Sequence, residues 1–486
     1  MERETRIVAA ATTVMFAAMF TSASYIQVIQ ADELAASSFN TRTVLRDLDK
    51  PRGRLLVGGR PIAESVPSGD SYGYLRTYPE GATYAPVTGY STVLPSSTGL
   101  ERALGTELAG SGSALQFRRL QRIFSGAPDA TSDIALTLHP GVQQAAYDAL
   151  TIRGLTGSVV ALEPSTGRVL ALVSTPSFDP NELAGHDPEQ VQSAYSQLES
   201  SPAGPLHNRA IAGSLNPPGS VFKLVTVAAA LESGAFGPDS LFDNPARIPL
   251  PGTDQFVRNT TGRSCGPGDA VTLQRAVADS CNIPFVQIGA ALGESALVSM
   301  ANGFGFAQPL DIPLSVTPST LRSGMSEAQL ALSAFGQDDV RVTPMQIAMV
   351  AATVANGGTL MKPTLVDSII NPHDGTSQSF APEALAQPIS AATSEVMTRM
   401  MQLGVESGAA ANAAIAGVDV AGKTGTAENG EDDPFTLWFT GFAPAQSPRI
   451  AVAVVIEDGG GLGQRGSGSE IAAPIAAEVL ASLPQG

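Results

Sequence analysis

The sequence predicts an α/β (α+β) fold: a central antiparallel sheet flanked by helices, an irregular N-terminal domain before it, and a single transmembrane helix. Three observations predict it. Strand-like runs stand at 157–173 and again at 418–457, with helical patterns dominating 220–355 between them, and strands at both ends of a helical middle meet in one sheet. The stretch 30–152 is dense in turn formers, and Ile7 to Ile29 carries no charge.

Taken in order, Ile7 to Ile29 is long enough to cross a hydrocarbon core of about 30 Å. Arg3 and Arg6 precede it and Asp32 and Glu33 follow, which favours a cytoplasmic N-terminus and the bulk of the chain outside the cytoplasm. A cleaved signal peptide is the competing reading, because Ser22-Ala23-Ser24 resembles a cleavage site. The apolar run continues through Tyr25 to Ile29, beyond a normal signal core, and this favours an uncleaved anchor. The expected divisions are a stub at 1–6, an anchor at 7–29, an N-terminal domain at 30–152 and a C-terminal domain at 153–486.

Within the N-terminal domain, Ser65 to Ser71 and Gly110 to Ser113 are turn clusters and Arg54 to Val57 is strand-like. Asp133 to Leu138 reads as a strand and Pro140 to Leu150 as a helix leading to the next domain. Ser158 to Leu162 and Arg168 to Val173 flank the turn Glu163-Pro164-Ser165-Thr166-Gly167 as a hairpin. A helix is expected from Ser220, stopping near Gly234, and another from Pro344, ending at Asn356-Gly357-Gly358. Val418 to Ala427, Thr436 to Phe442 and Arg449 to Glu457 are strands, and Ile471 to Leu483 a closing helix.

At 486 residues and 43% hydrophobic content, the chain can bury large cores. The net charge is −17 and the one basic grouping is Arg118-Arg119 with Arg122, so nucleic acid is not an expected partner. Two cysteines and four scattered histidines build no metal site, and no cofactor is expected. Cys265 and Cys281 are either a disulfide or a buried free pair; a disulfide would tie the loop at 265 to the segment around Ser280.

Chemistry concentrates around Asn216-Pro217-Pro218-Gly219-Ser220-Val221-Phe222-Lys223. On a helix Ser220 and Lys223 share a face. A serine hydroxyl needs a base, and a lysine desolvated near a helix N-terminus loses its proton more readily than its ordinary pKa of about 10.4 allows. The alternative is an N-cap serine followed by a surface lysine. The chain has only four lysines, and Lys423 lies in Lys423-Thr424-Gly425-Thr426, with Ser280-Cys281-Asn282 between the two lysine motifs. Each piece alone is weak, but Ser-x-x-Lys, Ser-x-Asn and Lys-Thr-Gly in that order form a specific set.

On these motifs the chain resembles the class B penicillin-binding proteins, most closely the penicillin-binding protein A type of actinobacteria. Supporting matches are Pro51-Arg52-Gly53-Arg54, Asn208-Arg209-Ala210 and Trp438-Phe439-Thr440-Gly441-Phe442-Ala443-Pro444. The resemblance implies a membrane anchor, a pedestal (dimerisation-like) domain and a serine β-lactamase/transpeptidase-like domain, with no glycosyltransferase domain. It implies that Ser220 attacks a stem peptide ending in D-Ala-D-Ala while Lys223 takes its proton. Ser280 would relay a proton to the departing D-alanine, Asn282 would hold the substrate amide and Lys223, and Lys423 would supply positive potential. Thr424, Gly425 and Thr426 would bind the substrate, the two threonines at its terminal carboxylate. Backbone N–H groups of Ser220 and Thr426 would form the oxyanion hole, and β-lactams would acylate the same serine. Peptidoglycan cross-linking, a membrane-embedded glycan polymerase and cell-division proteins as partners come from the resemblance alone.

A D,D-carboxypeptidase, a β-lactamase and a penicillin sensor share this active site, and a non-catalytic division scaffold is a further reading. The N-terminal domain with its anchor favours a synthase over a compact β-lactamase, and six residues before the anchor are few for a sensor. Gly262-Arg263-Ser264-Cys265-Gly266 matches a nucleophile elbow, but Pro267 and Gly268 follow where a helix is required, and His373 is the one downstream histidine. Trp438 is expected to pack within a strand.

Overall fold

The computed structural model describes residues 2–26, 30, 48–94, 97–110, 131–213, 215–372 and 375–483. Residues 27–29 of the expected anchor, Asp32, Glu33, Ser111 to Ser113, the arginine grouping at 118–122 and His373 lie outside them. Helix α1 (Glu2–Ser24) is exposed from Arg3 onward and is long and apolar enough to cross a membrane. It fits a single-pass anchor.

Strands β1 (Leu55–Val57), β2 (Arg60–Pro67), β3 (Tyr74–Thr77) and β4 (Asp133–Leu136) precede α2 (Pro140–Thr151) and the hairpin β5 (Gly157–Leu162) and β6 (Val169–Thr175). The middle of the chain holds α3 (Lys223–Glu232), the hairpin β7 (Arg247–Pro249) and β8 (Phe256–Arg258), then α4 (Leu273–Ala278), α5 (Ile283–Leu292) and α6 (Pro344–Ala355). It continues through β9 (Val366–Ile370), β10 (Ser377–Ser379) and α7 (Ala391–Ser407). The last elements are β11 (Ala421–Ala427), β12 (Thr436–Ala443), β13 (Ile450–Ile456) and α8 (Ala473–Ala481).

The five-stranded sheet has the order β11-β12-β13-β5-β6, every neighbouring pair antiparallel, so the expected sheet assembled from both ends is present. Every residue of β5, β6, β12 and β13 is buried. Helix α6 packs on β5, β12 and β13, while α2 and α8 pack on β6 and β13 respectively and on each other. Helices on both faces explain why these strands read as continuous apolar runs instead of alternating, as in Ile450-Ala451-Val452-Ala453-Val454-Val455. Helix α2, on the N-terminal side of residue 153, is thus part of the larger domain's packing.

The second sheet has the order β10-β9-β4-β1-β2-β3, with β1 parallel to β4 and the other neighbours antiparallel. Two of its strands, β9 and β10, come from 366–379, far along the chain from the rest. No local periodicity announces that pairing, because register across such a separation is set by the partner strand.

Candidate active site

The chain enters the site through two close approaches. The indole of Trp438 donates to the Pro217 carbonyl at 2.9 Å, and the Gly219 amide donates to the Gly336 carbonyl at 2.9 Å. Gly219 has φ +52°, and a Cβ there would lie 2.8 Å from the Thr426 carbonyl oxygen, so only glycine lets this turn press against β11. The expected α-helix from Ser220 is corrected in detail: Gly219–Phe222 is a 3₁₀ turn, and α-helical geometry begins at Lys223. With three residues per turn, i and i+3 eclipse, so Ser220 and Lys223 lie directly along one line.

Lys223 is fully buried. Its Nζ donates to the Ser280 carbonyl at 2.8 Å and to Asn282 Oδ1 at 2.7 Å, and it lies 5.1 Å from the Phe285 ring centroid. Burial pushes its pKa well below the ordinary lysine value, and the nearby Lys423 pushes it in the same direction. A neutral amine has two N–H groups and one lone pair. Two positions around Nζ are thus filled by protein acceptors, and Ser220 lies one 3₁₀ turn back on the same face.

Lys423, also buried, donates to Ser280 Oγ at 2.6 Å and to the Thr424 carbonyl at 2.8 Å. Burial lowers its pKa to about 7. Ser280 therefore joins the two lysines, its carbonyl to one and its hydroxyl to the other.

The local backbone explains how Ser280 does this. After α4 the Cys281 amide donates to the Ala276 carbonyl and the Ser280 amide to the Val277 carbonyl, the two bonds of a Schellman cap. Ser280 occupies the left-handed position of that cap, at φ +60°, where glycine is usual. A hydroxyl is held where the backbone prefers no side chain. Ser280→Gly is accordingly expected to be more stable than Ser280→Ala by about 1 kcal/mol in chemical unfolding, while both lose the bond to Lys423 and are acylated slowly.

Asn282 follows the cap. Its backbone amide donates to Asn259 Oδ1 at 2.8 Å and its side-chain amide to the Arg258 carbonyl at 2.8 Å. Opposite lies β11, an edge strand of the five-stranded sheet. The Thr426 carbonyl faces Gly219, and since N–H and C=O of one strand residue point to the same edge, the Thr426 amide faces the cleft as well. Gly425 lets the Pro218 carbonyl approach: a Cβ there would lie 2.9 Å from it. Thr426 Oγ1 accepts from the Gly468 amide at 3.2 Å, and Thr424 is buried. All eight sequence-derived residues of the cleft, Ser220, Lys223, Ser280, Asn282, Lys423, Thr424, Gly425 and Thr426, thus gather at the junction of the Gly219–Phe222 turn, the α4 cap and β11.

Residues 157–481 match the penicillin binding protein transpeptidase domain, and residues 52–134 match the penicillin binding protein A dimerisation domain. The chain belongs to the penicillin-binding protein transpeptidase family. It is 43% identical to the peptidoglycan D,D-transpeptidase PbpA of Mycolicibacterium smegmatis, covering 100% of both chains. It is 42% identical to PbpA of Mycobacterium tuberculosis, covering 96% of this chain and 95% of that one. The solved ceftriaxone acyl-enzyme complex of penicillin-binding protein A from M. tuberculosis superimposes with a TM-score of 0.86 at 41% identity, covering 91% of this chain and 100% of the other.

In this penicillin-binding protein the supporting motifs have physical roles. Arg52 and Arg76 clasp the buried Glu101, with Nε to carboxylate distances of 3.1 and 2.6 Å. Burial pushes Glu101 upward, but the two guanidinium groups outweigh it and hold the carboxyl below its usual range. Arg54 pairs with Asp133, and between the two arginines Gly53 passes so close to Ser132 that a Cβ would lie 1.8 Å from its carbonyl oxygen. Asn208 donates to the Pro86 carbonyl and Arg209 to Glu457, which fixes the segment leading into Ser220. Trp438 is fully buried within β12.

Cys265 and Cys281 are bonded, with Cα atoms 5.9 Å apart. Cys281 is the middle residue of Ser280-Cys281-Asn282, so the bond clamps the cap that carries Ser280. Replacing both cysteines by serine is expected to cost about 3 kcal/mol in chemical unfolding, the value for a loop of this size. Penicillin acylation should also slow; an unchanged acylation rate after reduction would count against the clamp. The segment 262–266 is a loop without the strand and helix of a nucleophile elbow, and its Cys265 serves the disulfide.

Sequence reasoning missed Asn259, Gly336 and Gly468, whose polar groups hold Asn282, Gly219 and Thr426. Asn259-Thr260-Thr261-Gly262 has turn composition, but no spacing rule ties it to Asn282.

Proposed function

We propose that this chain is a peptidoglycan D,D-transpeptidase acting through a Ser220 acyl-enzyme, anchored by α1 with its N-terminus in the cytoplasm and its catalytic domain outside. The observation that carries the reading is Lys223, buried with two protein acceptors around Nζ beside Ser220. The Ser220 oxygen attacks the penultimate carbonyl of a D-Ala-D-Ala stem and its proton passes to the Lys223 lone pair. The backbone amides of Ser220 and Thr426 hold the oxyanion, each such donor being worth about 3 to 4 kcal/mol. The C–N bond breaks, and the leaving D-alanine nitrogen receives a proton through Ser280, which Lys423 orients. Thr424 and Thr426 take the terminal carboxylate, and Asn282 holds the substrate amide. An acceptor amine then attacks the ester, forms the cross-link and frees Ser220. β-lactams enter the same path and stop at the acyl-enzyme. The Cys265–Cys281 bond suits an oxidising compartment and supports the outward placement. A membrane-embedded glycan polymerase and division proteins are the partners this role implies.

The test uses the full chain in detergent, a peptide ending in D-Ala-D-Ala and a free-amine acceptor. D-alanine release with formation of the new amide supports transfer. Release with hydrolysed peptide alone makes the protein a carboxypeptidase, and a fluorescent penicillin label lost within seconds makes it a β-lactamase. Biological function retained by Ser220→Ala would favour the scaffold reading.

A further inference from the structure

We propose that the exposed face of the β7–β8 hairpin is a second anion-binding point of the active site, in which Arg247 and Arg258 receive a carboxylate carried on the body of a substrate peptide. This rests on the transpeptidase reading and adds a specificity-determining element to it.

The hairpin register sets Arg247 opposite Arg258, Ile248 opposite Val257 and Pro249 opposite Phe256. Directly opposed residues lie on one face, and alternate residues share it. Val257 is buried whereas Phe256 and Arg258 are exposed, so Arg247, Phe256 and Arg258 all project outward. The Arg247 guanidinium carbon lies 4.5 Å from the Phe256 ring centroid, a stacking that holds the planar group in place.

Two features set this face apart. Like charges directly opposed across an antiparallel pair oppose folding, so hairpin stability does not select the Arg247–Arg258 pair. Among the described residues neither guanidinium has an acidic partner, in a chain with 45 acidic and 28 basic residues. Asp254, in the turn of the same hairpin, pairs with neither. A carboxylate seated between two guanidinium groups removes the repulsion and gains charge-assisted hydrogen bonds.

The position ties this face to the chemistry. The Arg258 carbonyl accepts from the Asn282 side-chain amide at 2.8 Å, and the other end of that amide holds Lys223. The hairpin is therefore one hydrogen bond from the residue that holds Lys223. In the proposed reaction the terminal carboxylate is taken at Thr424 and Thr426 on β11, so an anion at the hairpin belongs to another part of the donor strand or to the acceptor strand.

The test compares the wild-type full-length protein with Arg247→Gln/Arg258→Gln and Arg247→Lys/Arg258→Lys. Acylation by a small fluorescent penicillin at the wild-type rate shows that the active site is intact in each. In the donor arm, D-Ala-D-Ala pentapeptides with the internal carboxylates free or amidated compete against that penicillin, which reads binding whether or not transfer occurs. In the acceptor arm, amine peptides with free or amidated carboxylates compete with water for the acyl-enzyme. Wild type is expected to prefer the free carboxylate by about tenfold in one arm, which identifies the strand bound. The preference should vanish in the glutamine variant, return with lysine and shrink at 0.5 M salt, a high-salt condition of about 4 to 5 Å screening length. An equal preference in wild type and the glutamine variant in both arms overturns the proposal. Failed transfer with intact donor competition instead overturns the transpeptidase reading alone.

Discussion

Ser220→Ala is expected to abolish covalent labelling by fluorescent penicillin and the matching mass increase of the intact protein. The hydroxyl is the only group removed, from a side chain that is 7% exposed on a turn held by Trp438, Gly336 and the contact of Gly219 with β11. Those contacts are backbone or remote, so the variant should unfold within about 1 kcal/mol of wild type. Loss of label with unchanged stability assigns the nucleophile. Residual stoichiometric labelling would place the nucleophile elsewhere and undo the mechanism.

Lys223→Met should slow penicillin acylation by about 10²- to 10⁴-fold, the usual contribution of a positioned general base. Lys223→Arg should not restore it, because a guanidinium stays protonated and cannot accept the Ser220 proton. Acylation should decline on acidification as Lys223 takes up a proton, while substrate binding weakens as the pH rises through about 7 and Lys423 loses its charge. Both lysines have folded pKa values below their unfolded ones, so between pH 7 and 10 the unfolded chain binds more protons and stability rises with pH. Lys423→Met should reduce that rise in chemical unfolding at pH 7 and 9.5. A rise of the same size in both proteins would show that Lys423 is not buried in this way.

Much of the site was legible because its chemistry needs rare residues in a fixed order. With four lysines in the chain, one in Ser-x-x-Lys and one in Lys-Thr-Gly stand out, and Pro217-Pro218-Gly219 marks the turn that delivers Ser220. The strands at 157–175 and 436–456 were legible as apolar runs bounded by turn residues, to within a few positions. The 3₁₀ form of the Ser220 turn was not. It depends on Gly336, which is distant in the chain, and on the approach of Thr426.

The sequence by itself determined the kinds of group that meet, their chain order, the apolar N-terminal helix and the two-ended antiparallel sheet, because these follow from local pattern and composition. Only the tertiary structure decided that Lys223 has two protein acceptors around Nζ and that Ser280 stands at the left-handed position of a helix cap. The same holds for its bond to Lys423, 143 positions away, and for β9 and β10 completing the other sheet. Each of these depends on desolvation or on hydrogen-bond partners brought from distant segments, which local sequence does not encode.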